Sequence, residues 1–142
     1  MQKVLLTIKG MQIDGGKDNY VEFVTEGRLY KKESGYLIEY DESELTGIDG
    51  VTTTLVLEQG SVTLLRNGPI DTHMVFSKNS IYESNVSTPY GKLHLSIFAH
   101  HVESTFCDQG GSISLEYELN MGNLNTINRL SLSFKSMKDC IN

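Results

Sequence analysis

Along most of the chain, apolar and polar residues alternate with a period of two. Val4, Leu6 and Ile8 share one face against Leu5, Thr7 and Lys9. Val51, Thr53, Leu55 and Leu57 alternate with Thr52, Thr54, Val56 and Glu58, as Val62 and Leu64 do with Ser61 and Thr63. Leu93, Leu95 and Ile97 oppose His94, Ser96 and Phe98, while Ile113, Leu115, Tyr117 and Leu119 oppose Ser112, Ser114, Glu116 and Glu118. Leu130, Leu132 and Phe134 oppose Arg129, Ser131 and Ser133. Successive side chains of a strand point to opposite faces, so the pattern predicts antiparallel strands with one face inside and the other in water. A helical period is missing; the segment from Asp41 to Ile48 is expected to form at most a short helical turn.

Turn-forming groups divide the strands. They fall at Asp14-Gly15-Gly16, Ser34-Gly35, Asp49-Gly50, Gln59-Gly60, Asn67-Gly68, Lys78-Asn79, Pro89-Tyr90-Gly91, Gly110-Gly111 and Met121-Gly122-Asn123. Asp49-Gly50 and Asn67-Gly68 supply the positive φ angles that tight hairpin turns need. Both prolines, Pro69 and Pro89, stand beside turns. No linker, repeat or low-complexity tract interrupts the run, so residues 1–142 are expected to form one domain. The expected fold is all-β: an antiparallel meander of about eight to ten strands that closes into a barrel, because long open edges invite association.

Composition narrows the function. Hydrophobic residues make up 39% of the 142-residue chain and charged residues 21%, a balance that suits a globular protein. No stretch approaches the roughly 20 apolar residues that cross a bilayer, and Met1-Gln2-Lys3 leads into alternation rather than a leader's apolar block. The expectation is a cytoplasmic protein with no membrane partner. The net charge is −6 and the largest basic run is Lys31-Lys32, so nucleic acid is not an expected partner. Cys107 and Cys140 do not form a zinc-binding pair, and no motif nominates a metal or a cofactor.

The second half carries a more specific pattern. It runs Arg66-Asn67-Gly68, Met74-Val75-Phe76, Ser87-Thr88-Pro89-Tyr90-Gly91, the apolar strand Leu93 to Ile97, the strand Gly111 to Tyr117, and a last strand from near Ile127. This resembles the YwiB-like family of small bacterial proteins of unknown function. The resemblance implies a lipocalin-like (calycin) β-barrel and a bacterial setting, and it implies no activity. The Gly-x-Trp opening of true lipocalins is missing, since Gly10 is followed by Met11-Gln12 and the chain has no tryptophan. The resemblance therefore concerns architecture.

Three residues are candidate ligand anchors. Arg66 shares parity with Val62 and Leu64 and is expected to point inward, where its guanidinium would hold a carboxylate or phosphate. Its competing placement is the barrel rim, snorkelling to water or paired with Glu83. His101 follows Leu93, Leu95, Ile97 and Ala99 on the inward face of a regular strand, which would bring its imidazole to the lumen or its mouth. Tyr117 lies within an inward set and would place its hydroxyl against a backbone partner or a ligand. Tyr36 and Tyr40 share a face with Ile38 and are expected in the core. Tyr90 is expected to cover one barrel end.

Other constellations carry less chemistry. Asp71 and His73 are expected outside, because Thr72, Met74 and Phe76 form the inward set. His100 and His101, as neighbours on a strand, should face opposite sides and share no metal. The acidic stretch Asp41-Glu42-Ser43-Glu44 lacks the spacing of a calcium loop and is expected to be solvated. The leading expectation is a barrel that binds a small amphiphilic or anionic ligand through Arg66, His101 and Tyr117. The alternative is a filled barrel serving as an interaction module, as a homodimer. An enzyme ranks last, since Asp71, His73 and His101 are its only cheap titratable candidates.

Overall fold

The computed structural model describes residues 1–14, 17–42, 50–67 and 71–137. Ten strands follow one another: β1 (Gln2–Asp14), β2 (Lys17–Lys32), β3 (Gly35–Asp41), β4 (Thr52–Glu58), β5 (Ser61–Asn67), β6 (Thr72–Ser77), β7 (Ile81–Thr88), β8 (Gly91–Phe106), β9 (Gly110–Met121) and β10 (Leu124–Ser136). They form one sheet in the order β6-β5-β4-β3-β2-β1-β10-β9-β8-β7, and every ladder is antiparallel. Taken as a ring, this order is the chain order. The sheet is thus an up-and-down meander curled into a nearly closed barrel, with the first and last strands paired from Val4↔Ser136 to Ile13↔Ile127.

The seam lies between β6 and β7, the two ends of the sheet order. The turn that joins them folds onto β8: Asn79 N donates to Ala99 O at 2.8 Å, and Ala99 N donates to Ser80 O at 3.4 Å. Asn79 takes the left-handed conformation this turn requires, with φ 61°. Across the seam, His73 Nδ1 and the Tyr82 hydroxyl lie 2.5 Å apart.

The inward faces fill most of the interior. Leu6, Ile38, Leu57, Val62, Phe76 and Ile97 are fully buried, and the Phe76 ring tilts against Tyr117 at a centroid distance of 4.6 Å. The expected parity holds on most strands, including the outward placement of Asp71 and His73, both exposed.

Three expectations are corrected. The register of β8 against β9 shifts between Ala99 and His101, so Ala99 faces Tyr117 while His101 faces Glu116. This bulge inserts one extra residue and reverses the parity beyond it. Val102 now turns toward the core, and both His100 and His101 turn outward, beside Glu118 and Glu103 respectively. Tyr90 is fully exposed rather than set over one barrel end. Asp49-Gly50 is not a two-residue hairpin turn: Asp41 pairs with Thr52 and Glu42 N donates to Val51 O at 2.8 Å, so a longer connection intervenes. The expected helical turn at Asp41 to Ile48 lies mostly outside the described residues.

Phe76 occupies the centre of the filled region, and its truncation leaves a cavity that neighbouring β-branched side chains are too stiff to close. Phe76→Ala is expected to cost about 3–5 kcal/mol in urea unfolding. A loss below about 1 kcal/mol would show that the lumen collapses around the site.

Candidate functional site

One level of the barrel is polar. Tyr40 on β3 pairs with Thr53 on β4, Thr53 with Arg66 on β5, and Arg66 with Thr72 on β6. The strand period places Tyr40 with Ile38, Thr53 with Leu55 and Leu57, and Arg66 with Val62 and Leu64, so this row faces inward. Antiparallel register then sets the side chains side by side, within reach of one another.

Two atoms in this row are buried without a hydrogen-bond partner: Thr53 Oγ1 and Arg66 Nε. Leaving a buried polar group unsatisfied costs about 1–3 kcal/mol, more when it is charged. Their adjacency in register makes the cost a local one, concentrated at a single spot on the inner wall. Arg66 makes no ion pair within 4.0 Å among the described residues, and Glu83, its expected alternative partner, stands instead 3.8 Å from His94.

Tyr40 and Arg66 of this row line a partly open cavity of about 200 Å³. Ile8, Phe23, Leu55, Leu64, Leu130 and Leu132 supply its apolar wall, and Tyr40, Glu42 and Arg66 its polar groups. Glu42 lies only 8% exposed, which corrects its expected place in a solvated acidic loop; the rest of that stretch, Ser43 and Glu44, is outside the described residues. The physical reason is parity. Glu42 continues the inward series Ile38, Tyr40, and the backbone bond from Glu42 N to Val51 O carries the strand one residue past Asp41. Asp41 itself points outward to Arg28 and Thr52.

The electrostatics report the same neighbourhood. The Tyr40 hydroxyl is pushed up to about 12, first by burial and then by the charge of Glu42; Arg66 and the Thr53 hydroxyl oppose the shift. Thr53 is thus near enough to ease Tyr40's ionisation while its own oxygen lacks a well-formed bond. Burial also raises Tyr117, again opposed by the Arg66 charge. One guanidinium therefore acts on tyrosines from β3 and β9, on opposite walls. Of the three expected anchors, the structure brings Arg66 and Tyr117 into one electrostatic neighbourhood. His101 is on the outer surface, where it borders a shallow groove of about 340 Å³ with Lys9, Tyr20, Glu116 and Arg129. Arg129 there is neutralised by Glu116 at 2.7 Å.

Sequence reasoning passed over Glu42 and Gly10. Gly10 pairs with Leu130 on β10 and Val21 on β2, and it continues the inward series Val4, Leu6, Ile8. The parity of each strand was the available signal: Val4, Leu6 and Ile8 for Gly10, and Ile38 and Tyr40 for Glu42.

Comparison with known proteins came to the same architecture. The family model described as a domain of unknown function (DUF1934) matches residues 6–132. The uncharacterized β-barrel protein YwiB of Bacillus subtilis (strain 168) is 26% identical over 120 residues, covering 84% of this chain and 82% of that protein. The crystal structure of the ywiB protein from Bacillus subtilis superposes with a TM-score of 0.84 at 21% identity, over 95% of this chain and 92% of that one. At that identity the likeness is one of fold.

Tyr40 provides a pH signature. A hydroxyl whose folded pKa is about 12 against an ordinary 10.0 adds stability that is whole below pH 10.0 and is lost as pH rises through about 12. Ultraviolet titration of the folded protein should show a late tyrosine step that Tyr40→Phe removes, and the variant's stability should fall less over the same window. An unchanged titration curve for Tyr40→Phe would contradict the buried placement.

Proposed function

This chain belongs to the family of the DUF1934 domain, and we propose that its barrel binds a small amphiphilic molecule whose acidic group is held by Arg66. The supporting observation is the buried, unpartnered Arg66 Nε at the wall of a largely apolar cavity. A guanidinium offers five donors in a planar fork and suits a carboxylate better than any neutral side chain does. Tyr40 lines the same cavity with a hydroxyl that stays protonated at neutral pH and so acts as a further donor. The apolar wall takes the remainder of the ligand. His101 has no part in this reading, since its imidazole is outside.

The chemistry favours binding over catalysis. A general acid or base works best with a pKa near the working pH. Tyr40 and Tyr117 move away from neutrality, toward the role of fixed donors. Benzoate is a suitable probe in size and charge. Calorimetry should show binding to the wild type, and Arg66→Gln should weaken it about 10- to 100-fold, the worth of one charge-assisted contact. Arg66→Leu should weaken it at least as much while unfolding no more easily than the wild type, because an unpaired buried donor has gone. Equal benzoate binding by all three proteins, or none by the wild type, would refute the reading.

A second reading rests on the outer surface. Tyr20 and Val24 on β2 and Ile127 on β10 are exposed at 59%, 58% and 39%, and Ile127 lies beside Ile13 in the β1–β10 ladder. Apolar groups exposed on the outer face of β2 and β10 are what a second copy of the chain would cover. Sedimentation should then show a dimer that Ile127→Lys converts to monomer. A wild type that stays monomeric at high concentration would eliminate this reading.

A further inference from the structure

The cavity is lined by two side chains of opposite charge that form no ion pair among the described residues. Arg66 has an unpartnered buried Nε, and the Glu42 carboxylate makes no ion pair within 4.0 Å among the described residues. Both line the same space of about 200 Å³, and the hydroxyl of Tyr40 senses both, with Glu42 raising its pKa and Arg66 lowering it. A ligand that carried only a negative charge would satisfy Arg66 while forcing its charge beside Glu42 in a poorly screened interior. A ligand with both charges would satisfy both groups and leave the cavity neutral.

The floor of the cavity adds a size constraint. Gly10 faces inward in the middle of β1, where glycine weakens a strand. Its backbone is not in the left-handed region, and a Cβ built there would meet no atom within 4 Å. The contrast with Gly27 is direct: a Cβ at Gly27 would lie 2.7 Å from Leu6 Cδ1. Packing therefore crowds a side chain at 27 and leaves open space for one at 10. What a side chain at Gly10 would do is enter the cavity. An apolar cavity of about 150 Å³ accommodates benzene, so about 200 Å³ admits a body of that size with a small polar head.

We propose that the barrel takes a small zwitterion with one apolar group, of the class of an apolar α-amino acid. Its carboxylate lies on Arg66, its ammonium on Glu42, and its side chain over Gly10. This rests on the reading of Arg66 as the acid-binding anchor and adds to it the second charge and the size limit. Leucine satisfies all three requirements; isocaproate lacks the ammonium and isoamylamine lacks the carboxylate.

The test compares these three compounds by calorimetry on the full chain. Leucine should bind at least tenfold more tightly than either half-ligand, each missing charge contact being worth about that factor. Glu42→Gln should lower leucine affinity about tenfold and leave isocaproate unchanged or tighter. Gly10→Val should abolish leucine binding while melting no lower than the wild type, which separates filling the cavity from unfolding the barrel. Isocaproate binding as tightly as leucine, with loss in Arg66→Gln, would overturn the zwitterion and leave the acid-binding reading standing. Leucine bound equally by Gly10→Val would overturn the placement over Gly10. No binding of any of the three to the wild type would overturn the proposal.

Discussion

The ladder between β1 and β10 is the constraint on which the rest of the barrel depends. It joins the two ends of the described chain through ten residue pairs, from Val4↔Ser136 to Ile13↔Ile127. Without it the meander would be two arrays, β1 to β6 and β7 to β10, each with an open edge of unpaired backbone groups. With it, Leu6 and Ile8 on one strand and Leu132 and Phe134 on the other enter the same core. The pairing is also what places Gly10 opposite Leu130 and so shapes the cavity. The seam at β6 and β7 needs less, because the turn between them is already local in sequence and needs only to be anchored on Ala99.

The barrel was legible because its strands obey the period of two and its turns are marked by glycine and asparagine. Gly60, Asn79, Gly91 and Gly122 all adopt positive φ where a turn was expected. Features that break regularity were not legible. The bulge at Ala99 has no glycine or proline to announce it; it arises where β8 must accept the β6–β7 turn, a contact distant in sequence. Parity carried past that point sends His101 inward, and the structure puts it outside. Arg66 was found because its strand is regular from Val62 onward. Glu42 was missed because its acidic neighbours suggested solvent, although its parity with Ile38 and Tyr40 pointed inward. Tyr40 was expected in the core for its ring; its hydroxyl beside Glu42 and Arg66 emerges only from the pairing of β3, β4 and β5.

The interior is divided between two physical demands. Around Phe76, Leu57 and Ile97 it is filled, and the burial of large side chains stabilises the fold. Around Gly10 and Arg66 it carries a bare backbone position, an unsatisfied guanidinium nitrogen and a buried carboxylate, each of which works against stability. A sequence selected for folding alone would place an apolar side chain at 10 and at 66. Such costs gather at one cavity rather than being dispersed, and the proposal of a binding site rests on that clustering.

Isotope-edited NMR of the wild type, following the Arg66 Nε–H resonance and the Leu64 methyl signals during addition of leucine, tests the lumen as the binding site most directly. The account predicts that these signals move together, and that signals from His101 and Glu103 on the outer wall stay in place. Shifts confined to the outer groove around His101 and Arg129, with Arg66 and Leu64 unmoved, would contradict it.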